Sequence, residues 1–201
     1  MWMEAWDSPD GQVSVQVPKG MAITPEMKEL YAALREAGFD VYICSASYEE
    51  MVEAVACNEK YGLNLPKENV FGIRLEPGSD ECIHAVGAKG YPQPYHQGKV
   101  DCIKEYIASS HGGRGPALVA GDSNGDYAML TSFPDMKRGL IVNCLRKGDI
   151  AGLTASAIAD TSAIDLKFRT VPLYVVQGRN PDSLCFIPSP ESLPVKVIEG
   201  R

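Results

Sequence analysis

The chain of 201 residues has 45% hydrophobic residues, enough for one α/β domain with a buried core. Its net charge of −7 argues against a nucleic-acid partner and against anionic lipid, because either would be repelled. No apolar run approaches the roughly 20 residues of a membrane span, and we expect a soluble protein. The six cysteines include no Cys-x-x-Cys pair, which argues against a zinc or redox motif, and Cys44 and Cys102 are predicted core positions.

The hydrophobic pattern predicts strands and helices that alternate through the middle of the chain. Such alternation favours a parallel sheet with right-handed crossovers, and therefore an α/β fold. The predicted strands lie at 12–17, 41–44, 70–75, 82–86, 117–120, 140–144, 171–176 and 184–187. The predicted helices lie at 24–38, from 47 onward, at 99–107, from 126 onward and within 149–168.

Two of these helices carry capping signals. Thr24 and Pro25 are expected to begin the first helix, and Gly38 to end it. Ser47 has Glu50 three residues later, which predicts a capping box at the start of the second helix. The polar residues before the strand at 12–17 are expected to form a turn.

The predicted strand at 117–120 leads through Gly121 to two carboxylates, Asp122 and Asp126, where strand becomes helix. Ligands of open α/β sheets collect at the carboxyl ends of strands, and short carboxylates there suit Mg²⁺. A purely structural interpretation makes Asp122 a turn former and Asp126 a helix-start residue stabilised by the helix dipole. The carboxylate pair alone leaves both interpretations open.

Two further positions suit a phosphate group. Ser45 ends an apolar strand just before a predicted helix, whose free backbone N–H groups and positive dipole end suit an anion. The alternative for Ser45 is a turn or cap. Lys99 stands in the first turn of its predicted helix, where a cation is unfavourable to the dipole. It is therefore a candidate to neutralise a phosphoryl group, against the alternative of a solvated surface lysine.

Aromatic side chains are frequent in the loop before Lys99. Tyr91, Tyr95 and His96 are candidates to line a substrate pocket, where aromatic rings would suit a quaternary ammonium by cation–π attraction. The alternative is an exposed aromatic loop without a binding role.

These features together resemble the haloacid dehalogenase superfamily. A serine ending an apolar strand, a lysine opening a downstream helix, and Gly-Asp-x-x-x-Asp after a later strand are similar to motifs two, three and four of its phosphoserine-phosphatase-like branch. Within that branch the chain looks most like bacterial phosphorylcholine phosphatases over roughly residues 24–190. The stretches that carry this resemblance are Glu29-Leu30-Tyr31, Val41-Tyr42-Ile43, Ser45-Ala46, Tyr61-Gly62, Pro66-Lys67-Glu68-Asn69-Val70 and Leu118-Val119-Ala120-Gly121-Asp122.

The resemblance implies a three-layer α/β/α fold and a magnesium-dependent phosphomonoesterase that acts on a small phosphorylated metabolite. By this analogy Ser45 and the Ala46 amide bind phosphate, and Lys99 is the catalytic lysine that stabilises a phosphoenzyme. Asp122 and Asp126 hold Mg²⁺ directly or through water. The implied compartment is the bacterial cytoplasm or periplasm.

One departure from the superfamily pattern is large. Its first motif, a strand ending Asp-x-Asp, supplies the nucleophile, and the chain contains no such motif upstream of Ser45. Asp7 and Asp10 lie in a polar turn, and Asp160 and Asp165 have the wrong spacing and order. Because that strand is central in the family's sheet, its neighbours would keep unpaired edges. We therefore expect the carboxyl-terminal part of a longer phosphatase, inactive by itself for lack of its nucleophile.

The expected organisation follows from this interpretation. Residues 1–20 would be the return from a cap, 21–190 the core, and 191–201 a tail. The last four residues, 198–201, resemble a protease recognition sequence used in expression vectors. An incomplete sheet favours pairing with the absent N-terminal segment or with a second copy. The alternative function is a catalytically inactive module that binds phosphate or metal in a regulatory role.

Overall fold

A computed structural model describes residues 2–9, 11–17, 23–77, 83–161, 172–180 and 183–188. The strands are β1 (Trp2–Ser8), β2 (Gly11–Val17), β3 (Ile43–Tyr48), β4 (Val70–Ile73), β5 (Leu75–Pro77), β6 (Ile83–Gly87), β7 (Leu118–Gly121), β8 (Arg138–Asn143) and β9 (Tyr174–Gly178). The α-helices are α1 (Pro25–Glu36), α2 (Glu49–Ala56), α3 (Gln97–Cys102), α4 (Asn124–Thr131) and α5 (Asp149–Thr161). After α3 the chain continues as a π-helical turn over Ile103–Ile107 and a 3₁₀ turn over Ala108–His111.

Within the described ranges, the strands form four small sheets. Two of them are parallel: β3 pairs with β4, and β7, β8 and β9 form a three-stranded sheet in that order. The other two are antiparallel hairpins, β1 with β2 and β5 with β6. The α/β prediction with parallel strands is therefore confirmed.

One hydrophobic core joins the two parallel sheets. Its buried side chains come from β4, from the α3 segment, from β7, from α4 and from β8, and include Phe71, Val100, Val119, Leu130 and Ile141. A second cluster lies between α2, α1 and the outer side of β3 and β4. Because the α3 segment packs between the two sheets, it carries Lys99 to the place where they meet.

In the described part of the chain, β3 and β7 are not hydrogen-bonded to each other. Each has a single strand neighbour, β4 and β8 respectively, so one edge of each strand makes no ladder hydrogen bonds there. Such open edges are ordinarily paired or covered in a folded sheet.

The same described residues include no helix long and apolar enough to cross a bilayer.

The first helix agrees with its predicted capping signals. Thr24 is the residue before α1, Pro25 is its first residue, and Gly38 follows its end with a φ of +83°. The Thr24 side chain makes no capping hydrogen bond.

The predicted capping box of the second helix is wrong. The strand β3 runs on to Tyr48, which pairs with Ile73 after a shift in register, and α2 therefore begins at Glu49. The Ser47 amide donates to Ser45 Oγ at 3.1 Å instead, so that Ser45 closes a local turn. Hydrogen bonds between β3 and β4 keep residues up to Tyr48 in the strand, so Ser47 cannot serve as the first residue of the helix.

Two other expectations need correction. The predicted turn before 12–17 is present at Pro9, but Asp7 and Ser8 belong to the strand β1, which pairs with β2 in a hairpin that was not predicted. The predicted strand at 184–187 contributes an isolated bridge between Phe186 and Arg179. The predicted tail at 191–201, with its terminal four residues, lies outside the described residues.

Candidate phosphate and metal site

Lys99 joins the two parallel sheets. It is the third residue of α3 and only 6% exposed. Its ammonium donates to the Cys44 carbonyl oxygen in β3 at 2.8 Å and to Asp126 Oδ1 in α4 at 2.7 Å. An ammonium buried this deeply is stabilised by these two acceptors. The lysine therefore fixes the end of β3 relative to the turn that follows β7.

Asp126 has both carboxylate oxygens engaged. Oδ1 receives Lys99, and Oδ2 accepts from the Asp122 amide, the Ser123 amide and the Ser123 hydroxyl at 3.0, 3.1 and 2.9 Å. Together with Ser123 it forms a capping box at the start of α4. Burial alone would raise the pKa of Asp126, but the charge and hydrogen bond of Lys99, with the donors from Asp122 and Ser123, lower it below its ordinary value.

Gly121 makes this geometry possible. A Cβ at this position would overlap the Cβ of Asp126. The last residue of β7 must therefore be a glycine for the Asp126 carboxylate to lie against the strand end.

Asp122 differs from Asp126 in having a carboxylate with no hydrogen-bond or ion-pair partner among the described residues, and it is half-buried. An oxygen ligand of this kind fits Mg²⁺, which takes one or two protein carboxylates and completes its shell with waters and substrate phosphate. The described residues contain no cluster of three or more His, Cys, Asp or Glu suited to a metal. Asp122 thus fits a magnesium ion as one direct ligand, whereas the saturated Asp126 fits only through water or by giving up a donor.

The structure places Ser45 and Ala46 beside this site along β3. Ser45 directly follows Cys44, whose carbonyl receives Lys99. Ser45 is half-buried and Ala46 is exposed. Ser45 Oγ accepts from the Ser47 amide and keeps its own proton available to donate.

The aromatic candidates differ in exposure: Tyr95 is on the surface, whereas Tyr91 is buried. Tyr95 is 59% exposed, and its ring contacts that of His96 edge-on at 4.2 Å between centroids. No contact joins these two side chains to the Lys99 ammonium among the described residues. Tyr91 is instead buried at 9% exposure, with Arg74 over its ring at 4.1 Å, so the expectation that it lines an open pocket is wrong.

Sequence reasoning missed two members of the site, Ser123 and the Cys44 carbonyl. Ser123 could have been found, because it has the Ser-x-x-acidic spacing of a capping box with Asp126. The Cys44 carbonyl could not be found in this way, because a backbone acceptor leaves no signature in the residue type. An open pocket elsewhere, at the opposite end of β3, is lined by Arg35, Phe39 and Asn69 and holds none of the site residues.

Comparisons with known proteins address the identity of the chain. The family model of haloacid dehalogenase-like hydrolases matches residues 11–131. The chain is 48% identical over 118 residues to the phosphorylcholine phosphatase of Pseudomonas aeruginosa strain PAO1, a match that covers 48% of this chain and 33% of that protein. It thus spans about a third of the length of this curated relative.

A solved structure is similar over nearly the whole chain. The crystal structure of a conserved functionally unknown protein from Anaerococcus prevotii DSM 20548 matches with a TM-score of 0.76 and 32% identity. The match covers 94% of this chain and 48% of that protein. The family model covers the strand that carries Ser45, the helix of Lys99 and the turn of Asp122 and Asp126. The chain belongs to the haloacid dehalogenase-like hydrolases.

Proposed function

We propose that this chain carries the phosphate- and metal-binding part of a magnesium-dependent phosphomonoesterase. The observation that supports it is the buried bridge from Lys99 to Cys44 O and Asp126. A cation held at the junction of two strand ends is suited to neutralise a transferring phosphoryl group. The family membership and the likeness to the phosphatase of P. aeruginosa point to the same reaction class.

Each residue has a proposed role. Lys99 neutralises phosphate charge, while Ser45 Oγ and the Ala46 amide donate hydrogen bonds to phosphate oxygens. Asp122 holds Mg²⁺, and a bound ion would offset negative charge on the phosphoryl oxygens. Asp126 positions Lys99 and keeps the Asp122 turn in place. Tyr95 and His96 are proposed to face the leaving group.

The nucleophile is proposed to come from polypeptide outside these 201 residues. The chain has no Asp-x-Asp sequence, and covalent phosphoryl transfer needs a carboxylate within reach of phosphorus. The open edges of β3 and β7 offer a place where a further strand could pair. A strand inserted there would end beside Lys99. The proposed substrate is a small phosphomonoester, with a phosphorylcholine-like compound as the finer proposal.

The absence of an Asp-x-Asp sequence also favours a second candidate, a catalytically inactive module that binds phosphate or Mg²⁺. Hydrolysis separates the two candidates. In a longer parent protein that contains this chain, Asp122→Asn should abolish hydrolysis of a small phosphomonoester if the first candidate holds. A parent that hydrolyses no phosphomonoester at all would favour the binding module.

Binding to the 201-residue chain tests what both candidates share. Inorganic phosphate with MgCl₂ should give heat in titration calorimetry. Ser45→Ala should weaken phosphate binding about five- to tenfold, the value of one lost hydrogen bond. Ser47→Ala is the matched control, because Ser47 is exposed and donates only its backbone amide. If neither Mg²⁺ nor phosphate is bound, both candidates fail.

A further inference from the structure

Two cysteines lie side by side behind the proposed phosphate site. Cys44 is in β3, directly before Ser45, and Cys102 is in α3, one helical turn after Lys99. Both side chains pack in the same hydrophobic core. Cys44 Sγ also lies 3.9 Å from the Lys99 carbonyl oxygen, and the Tyr91 hydroxyl lies 3.6 Å from Cys102 Sγ. The two thiols are thus held against each other by a strand and a helix that both carry site residues.

Cys44 and Cys102 differ in access. Cys102 is completely buried, whereas Cys44 is only half-buried. A small reagent therefore meets Cys44 first, and Cys102 lies behind it in position to react in a second step. No hydrogen bond joins the remaining cysteines that the structure describes, Cys57, Cys144 and Cys185, to a second thiol.

The surroundings of the pair favour the thiolate of Cys102 over that of Cys44. The hydrogen bond from Cys44 lowers the pKa of Cys102, burial opposes this, and the Tyr91 hydroxyl and the Arg74 charge lower it further. Arg74 is kept near by stacking on Tyr91 and by a 2.8 Å ion pair with Glu49. The hydrogen bond correspondingly raises the pKa of Cys44, which therefore keeps its proton. A thiolate is the form that attacks a disulfide.

We propose that Cys44 and Cys102 are a modification site, a thiol pair that a low-molecular-weight disulfide converts to an intramolecular disulfide that weakens phosphate binding. The effect on phosphate rests on the proposed function. The Cys102 sulfur takes the Cys44 proton as the Cys44 sulfur attacks a sulfur of the reagent RSSR, which forms Cys44–S–S–R and releases RS⁻. Cys102 then attacks the Cys44 sulfur and displaces the second RS⁻. The one proton of the pair ends on one released RS⁻ and solvent protonates the other, so two cysteines are oxidised and one RSSR is reduced to two RSH.

The consequence for the site follows from the length of the new bond. A disulfide is about 2.05 Å long, so two sulfurs that are not bonded to each other must approach by more than about 1 Å. That movement draws β3 toward α3 on the side where the Cys44 carbonyl accepts from Lys99. A misplacement of about 1 Å in an enzyme site costs about a hundredfold in rate, and for phosphate affinity we expect a loss of at least about tenfold. The disulfide thus acts on the position of Lys99 relative to Ser45.

The test uses the 201-residue chain with oxidised glutathione as the probe. The chain is oxidised, remaining thiols are alkylated, and peptides are mapped by mass spectrometry. A peptide pair linked through Cys44 and Cys102 is expected, and dithiothreitol should remove it. Phosphate affinity from calorimetry should fall at least tenfold on oxidation and recover on reduction. Cys102→Ser should lose both responses, whereas Cys57→Ser, the control at a half-buried cysteine without a thiol neighbour, should keep them.

The outcomes separate the two proposals. Absence of the Cys44–Cys102 link under excess oxidised glutathione overturns the thiol pair, whatever the chain does with phosphate. A link that leaves phosphate affinity unchanged overturns the regulatory effect. A reduced chain that does not bind phosphate counts against the proposed function, and the link is still read independently by mass spectrometry.

Discussion

Replacing Lys99 with methionine should destabilise the chain strongly. Methionine keeps most of the side-chain volume, so the main loss is the ammonium and its bonds to Asp126 and Cys44. The Lys99 and Asp126 side chains are 8% and 9% exposed, and removing one partner of a buried ion pair costs about 3–5 kcal/mol. Asp126 keeps three donors on Oδ2, which places the expected loss at the lower end, about 3 kcal/mol. That loss would move a urea midpoint by at least about 1 M.

The matched control is Lys67→Met. Lys67 makes an ion pair with Glu53 at 2.8 Å, nearly the same length as the Lys99 pair, but its side chain is 74% exposed. Exposed pairs of this kind contribute little, so the urea midpoint of Lys67→Met should stay close to that of the parent chain. A double variant, Lys99→Met with Asp126→Asn, should lose less than the sum of the single variants, since no unpaired buried charge remains. Equal midpoints for Lys99→Met and Lys67→Met would refute the reasoning.

Three further outcomes follow from the same site. Folding lowers the pKa of Asp126, so its negative charge stabilises the folded chain. This stabilisation is complete above the pKa of an unfolded aspartate, about 4, and is lost as the pH falls through the lower pKa of the folded chain. Asp126→Asn should therefore have a lower free energy of unfolding than the parent chain at pH 7. Below pH 4 that free energy should fall less steeply in the variant than in the parent, as measured by urea unfolding at a series of pH values. Asp122→Asn should abolish Mg²⁺ binding in calorimetry without lowering the melting temperature, and a large loss of stability would contradict the assignment. Gly121→Ala should cost about 1–3 kcal/mol by overlap with Asp126, whereas Gly152→Ala, where the added methyl meets nothing within 4 Å, should be neutral or stabilising.

Much of the fold was predictable because the deciding signals were local. The strand before Gly121 and the helix bounded by Thr24 and Gly38 have apolar periodicity and flanking residues that agree with each other. Where a local signal competed with strand pairing, the pairing prevailed. Ser47 does not cap α2 as predicted, because Tyr48 pairs with Ile73 and the helix begins one residue later.

The sequence indicated the candidate site residues but not the contacts that each of them makes. Lys99 was conspicuous because its charge opposes the helix dipole, and the structure shows two acceptors that stabilise it there. One of those acceptors is the Cys44 carbonyl, which no residue pattern encodes. The proximity of the thiols Cys44 and Cys102 could not be predicted from the sequence either. The two residues are separated by 57 others, and only the packing of α3 on β3 brings them together.

The structural and functional interpretations of the carboxylate pair do not exclude each other. Asp126 is a helix-capping residue and also the partner of Lys99, so its substitution would reduce any activity through lost stability alone. Asp122 contributes only its amide to that network and leaves its carboxylate free among the described residues. A loss of metal binding in Asp122→Asn therefore reports on the site rather than on the fold. For this reason Asp122, and not the more deeply buried Asp126, is the position at which the proposed function stands or fails.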